Sequence, residues 1–158
     1  MPTMRPRMYS VRGATQVGVR TTSGSTRAQT TQDPERKDYF VTKDGLCYAG
    51  THLIIDLWDA EGLDDEKRVE KALRDCIAAA GATLIAMNVH RFTENGGISG
   101  IAVLAESHIS IHTWPERAYA ALDIFMCGDA KPALAIPVLK AAFKPRHVAI
   151  SEHKRGIL

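Results

Sequence analysis

Residues 98–128 read ISGIAVLAESHISIHTWPERAYAALDIFMCG. Through Ile98–Ala105, Ser107–Trp114 and Ala118–Cys127, apolar residues alternate with polar or small ones, the period of strands with one buried face. Glu106 alone separates the first run from the second, and Pro115, Glu116 and Arg117 separate the second from the third. Parallel crossovers need about a dozen or more residues, so the sheet is expected to be mainly antiparallel.

Working outward, Thr83–Phe92, Tyr48–Trp58 and Arg146–Glu152 also read as strands. Asp64–Ala80 reads as a helix, with Val69, Ala72, Leu73, Cys76, Ile77 and Ala80 on one face. Acidic residues suit its positive amino end, and Gly81 suits its termination. A second helix is expected within Lys131–Phe143, started late or kinked by Pro137. Strand, helix, strands, then strands, helix, strand describe two similar β-α-β-β halves. They predict an α+β two-layer sandwich with the helices on one face of the sheet. The other face would be exposed and partly apolar in a monomer, which predicts a homodimer with four αββα layers.

The 158 residues are 45% hydrophobic and 24% charged, ordinary values for one globular domain. No apolar run approaches the roughly 20 residues of a membrane span, and no secretory signal is evident. The net charge of +2 hides an asymmetry: residues 1–32 hold five Arg and no acid, leaving 15 bases against all 18 acids beyond. Residues 1–37 read as a disordered basic extension, rich in Thr, Ser, Gly and Arg, and 38–158 as the folded domain. The acidic body argues against a nucleic-acid partner. Cys47, Cys76 and Cys127 form an odd set without close spacing, so a disulfide scaffold is not expected and a reducing, cytoplasmic location is.

Chemistry-bearing side chains concentrate between Ser99 and Gly128: Ser99, Glu106, Ser107, His108, Ser110, His112, Glu116, Tyr119, Asp123 and Cys127. Any one of them is ordinarily structural, but their density in core-forming strands favours a site. A serine hydrolase would need Gly-x-Ser-x-Gly, and Ser107 stands in Ala-Glu-Ser-His-Ile. A metal held by His108 and His112 is disfavoured, since on a strand they lie about 13 Å apart. The remaining possibility is chemistry on the backbone. A Ser hydroxyl attacks the preceding carbonyl, converting amide to ester; β-elimination and hydrolysis then leave a pyruvoyl ketone and ammonia.

Glu106-Ser107-His108-Ile109-Ser110-Ile111-His112-Thr113-Trp114-Pro115-Glu116, followed by Tyr119, Asp123, Phe125 and Cys127-Gly128, resembles the signature of the prokaryotic S-adenosylmethionine decarboxylase proenzymes. Gly50-Thr51-His52-Leu53 and Ser99-Gly100 extend the likeness over Tyr48–Arg155. The resemblance implies autocleavage between Glu106 and Ser107, giving a β chain 1–106 and an α chain 107–158 whose amino end carries a covalent pyruvoyl group. His112 would be the base of β-elimination, Ser99 an assisting hydroxyl, and Cys127 the acid that protonates the product carbon. A substrate amine would condense with the ketone, which draws in electrons as carbon dioxide leaves. Ser107 and His112, five residues apart, would face opposite ways on a regular strand, so a bend or bulge is expected near 107.

The implied substrate is S-adenosylmethionine, decarboxylated to the aminopropyl donor of polyamine synthesis. Phe92 would stack on its adenine and Glu116 bind its ribose. Between Phe92 and Ser99 the sequence runs one residue longer than the common pattern, and Met126 stands where Thr is frequent. Both departures bear on substrate. L-ornithine or L-arginine is the alternative, with Glu94 holding the distal cation. An inactive homologue serving as a binding or regulatory subunit is the second alternative.

Overall fold

The computed structural model describes residues 39–158; the expected extension over 1–37 lies outside them. A hairpin of β1 (Val41–Lys43) and β2 (Leu46–Tyr48) comes first. Then follow β3 (Gly50–Trp58), α1 (Glu66–Ala80), β4 (Leu84–Arg91), β5 (Ile98–Leu104), β6 (Ser107–Trp114), β7 (Tyr119–Cys127), α2 (Ala135–Phe143) and β8 (His147–Arg155). β3 to β8 form one antiparallel sheet in the order β4-β5-β6-β7-β3-β8. The helices follow β3 and β7, so the first half reads β-α-β-β and the second β-β-α-β.

α1 starts where the Asp65 carboxylate accepts the Arg68 N–H at 3.1 Å and ends at Gly81, which adopts φ +73. Only glycine takes that left-handed cap without strain. All six residues of the expected face, Val69 to Ala80, are buried. They pack with α2 against Leu53, Ile55, Leu57, Ile109, Ile111, Leu122 and Ile124, alternate residues of the central strands. Pro137 sits in the first turn of α2, where its missing N–H has no helical acceptor.

Alternation sends the other residues of each strand to a face that no helix covers. Ile54, Trp58, Ile101, Val103 and Trp114 there are 38–46% exposed. Among the described residues no helix is long and apolar enough to cross a membrane.

Candidate active site

The expected site residues fall into two groups at different places on the sheet. At one end the turn Ala105-Glu106 joins β5 to β6, and Leu104 pairs with Ser107 across it. Glu106 has φ +60, and only this second turn residue is left-handed. Hairpin turns that suit the sheet's twist place positive φ at the first turn residue or at both. An L-residue in the left-handed region costs about 1–2 kcal/mol. The strain sits on the residue whose carbonyl carbon the Ser107 hydroxyl would attack.

Antiparallel pairing of β6 with β7 brings the first residue of one beside the end of the other. There Ser107 Oγ accepts the backbone N–H of Cys127 at 3.1 Å. Burial, and secondarily the charge of Glu106, push the Cys127 thiol above its ordinary pKa. Both effects disfavour the thiolate, so the thiol keeps its proton near neutral pH.

The second group lies further along the same strands. Ser99 pairs with His112 across β5 and β6, and Ser99 Oγ lies 2.9 Å from His112 Nδ1. For His112 to act as a base at Nε2, Nδ1–H must donate to Ser99 Oγ. Past His112 runs a stack of half-exposed rings: Trp114 on Tyr119 at 5.3 Å and Tyr119 on Trp58 at 4.3 Å between centroids. Tyr119 donates to Asp56 at 2.5 Å, and that bond is the main reason its phenol is pushed up to about 12. Asp56 was not among the expected site residues. Its signal was alternation in YAGTHLIIDLW, which puts it on the uncovered face with His52 and Trp58.

The expected bend near 107 takes a different form from a bulge in the strand. β6 pairs with both neighbours in unbroken register, so the bend is confined to the turn at Glu106. Ser107 consequently shares the helix-covered face with Ile109 and Ile111, whereas His112 is exposed on the opposite face. Five strand steps put the two about 17 Å apart. Ser107, Glu106 and Cys127 are brought together, and so are Ser99 and His112, but one protomer does not unite the groups.

Phe92 is 46% exposed and meets the His90 ring edge-on at 4.9 Å, so it is a surface aromatic and not core. Glu94, between β4 and β5, and Glu116, just after β6, are also exposed. All three lie toward the His112 end of the sheet.

The family model for S-adenosylmethionine decarboxylase matches residues 51–156. The chain belongs to the S-adenosylmethionine decarboxylase family. A curated S-adenosylmethionine decarboxylase proenzyme of Methanococcus aeolicus is 50% identical over 114 residues, 70% of this chain and 97% of the relative. The S-adenosylmethionine decarboxylase proenzyme of Thermomicrobium roseum is 46% identical over 110 residues, 69% of this chain and 95% of the relative. The crystal structure of the adenosylmethionine decarboxylase of Aquifex aeolicus VF5 is similar in fold, with a TM-score of 0.63 and 30% identity. That match covers 70% of this chain and 93% of the solved one. The family match thus spans both groups of site residues and stops short of the β1-β2 hairpin.

Proposed function

We propose that this chain is a self-processing, pyruvoyl-dependent decarboxylase that converts S-adenosylmethionine to its decarboxylated form, the aminopropyl donor of polyamine synthesis, and carbon dioxide. The observation that carries the reading is the strained Glu106, φ +60, joined to a serine whose Oγ is held by the Cys127 N–H. A left-handed residue before the scissile bond raises the energy of the uncut amide. The Cys127 N–H holds Ser107 Oγ and stabilises the negative charge on it as its proton is removed for attack on the Glu106 carbonyl carbon. These residues fit a pyruvoyl group at position 107: the serine is at a strand end, its bond faces a solvent-exposed turn, and its hydroxyl meets the backbone N–H of Cys127, whose thiol stays protonated. Once formed, the group supplies an electrophilic ketone and an electron sink for decarboxylation. Cys127 then serves as the proton source for the product carbon.

The site is completed by dimerisation. His112 and Ser99 stand on the uncovered sheet face, about 17 Å along the strand from Ser107. Two such faces packed about a two-fold axis that crosses the strands set the His112 end of one sheet against the Ser107 end of the other. In this arrangement His112 approaches the backbone of Ser107 of the partner subunit, whose side chain faces the helices, and takes its α-proton in the β-elimination. The half-exposed apolar residues of that face, Ile54, Ile101 and Val103 among them, become interface.

Intact-mass analysis and carbon dioxide release test the activity together. The expected result is a chain cut after Glu106 that releases carbon dioxide from S-adenosylmethionine. Release from L-ornithine or L-arginine alone overturns the substrate; a chain that stays whole overturns the enzyme and leaves the regulatory homologue.

A further inference from the structure

We infer that the segment Tyr39–Tyr48, which precedes the family-matched region, positions the proton donor through the backbone carbonyl of Tyr39. This rests on the reading of Cys127 as that donor. The Gly128 N–H, one residue beyond the thiol, donates to the Tyr39 carbonyl at 3.2 Å. The Tyr39 ring lies 3.6 Å from where a Gly128 side chain would begin. Tyr39 and Gly128 both hold left-handed backbones, φ +53 and +59. For tyrosine that conformation is uncommon and persists where its surroundings over-determine it.

The rest of the segment is tied to the neighbouring strand end. The Leu158 N–H donates to the Cys47 carbonyl at 3.0 Å, and the Ala49 N–H to the Arg155 carbonyl at 2.8 Å. Tyr39, Cys47 and Ala49 belong to the β chain, whereas Gly128, Arg155 and Leu158 belong to the α chain once the bond after Glu106 is cut. The contacts thus join the two chains without a covalent bond beside Cys127. Before cutting, the Cys127 N–H is also held by Ser107 Oγ. Processing removes that hydroxyl and leaves the Tyr39 carbonyl as a restraint on the other side of the thiol. Proton delivery to carbon is sensitive to misplacement of about 1 Å.

The consequence is a choice between two carbons. A proton placed on the substrate carbon gives the amine product. A proton placed on the carbon of the prosthetic group leaves, after addition of one water, the substrate's nitrogen on the α chain as an amino-terminal alanine. The remainder of the substrate departs as an aldehyde, and the enzyme is inactivated. Alanine formed per turnover therefore reads the placement of the thiol, which general stability does not.

The test uses the full-length chain with S-adenosylmethionine, measuring cleavage and amino-terminal alanine by intact mass. Tyr39→Pro forces φ near −65° and withdraws the carbonyl; Tyr39→Gly tolerates the left-handed backbone and keeps it. Tyr39→Pro should be cut like the wild type and form alanine roughly tenfold more often per turnover, with Tyr39→Gly restoring the wild-type ratio. Cys127→Ala is the control. If it raises alanine and Tyr39→Pro does not, the positioning role is wrong; if Cys127→Ala itself leaves the ratio unchanged, the donor assignment is wrong. A Tyr39→Gly chain that behaves like Tyr39→Pro also overturns the role of the carbonyl. Should Tyr39→Pro not fold, Tyr39→Val carries the same backbone conflict and the same expectation.

Discussion

Division of the site between protomers can be tested by mixing two inactive chains, Ser107→Ala and His112→Ala. Ser107 and His112 lie on one unbroken strand, on opposite faces, about 17 Å apart by strand rise. No side-chain rotation closes that gap, so each variant alone should remain uncut. Coexpressed in equal amounts, the chains pair at random and about half the dimers are mixed. In each mixed dimer the intact Ser107 of the His112→Ala chain faces the intact His112 of the Ser107→Ala chain, while the other site lacks both. About half of the His112→Ala chains, and so about a quarter of all chains, should be cut. Different affinity tags on the two chains and intact-mass measurement of the fragment beginning at residue 107 give the fraction. A mixture that stays whole, or a His112→Ala chain that cuts on its own at the wild-type rate, refutes action across the dimer.

Three other outcomes are expected. Glu106→Gly removes about 1–2 kcal/mol of left-handed strain, and if that strain is released on the way to the ester, processing should slow by about 5- to 30-fold; an unchanged rate constant in a timed mass assay contradicts it. Glu106→Gln removes the charge that, after burial, holds the Cys127 thiol up. A Cys127 that donates the proton must be protonated, so on the proposed mechanism lowering its pKa should move the high-pH fall of kcat to lower pH, and an unmoved limb refutes the coupling. Gly50→Ala would place a Cβ 2.6 Å from the Met126 carbonyl and 2.9 Å from the Phe125 ring. The overpacking should cost about 1–3 kcal/mol in denaturant unfolding, and full stability would mean that the β3-β7 pairing is looser there.

Legibility followed the range of the interactions involved. The α1 face from Val69 to Ala80 and the bounds of β6, Ser107–Trp114, are local periodicities, and both stand in the fold as read. β8 runs to Arg155, three residues past the expected Glu152, because pairing with β3 continues to Gly50. That pairing leaves no trace in the apolar pattern of Glu152-His153-Lys154-Arg155. The β1-β2 hairpin was not foreseen for the same reason: the backbone bond that ties β2 to the rest of the domain comes from Leu158 to Cys47, and Gly128 holds Tyr39 just before β1, both far along the chain.

By itself, the sequence determined the antiparallel sheet and the buried face of α1, since short connections and side-chain period are properties of neighbouring residues. Tertiary structure alone decided that Ser107 meets the Cys127 N–H, that the strain falls on Glu106, and that His112 and Ser99 stand elsewhere. Those facts depend on sheet order and register, where strands pair with partners as far along the chain as Gly50 is from Arg155. No local pattern encodes that choice; the packing of the whole sheet against α1 and α2 does.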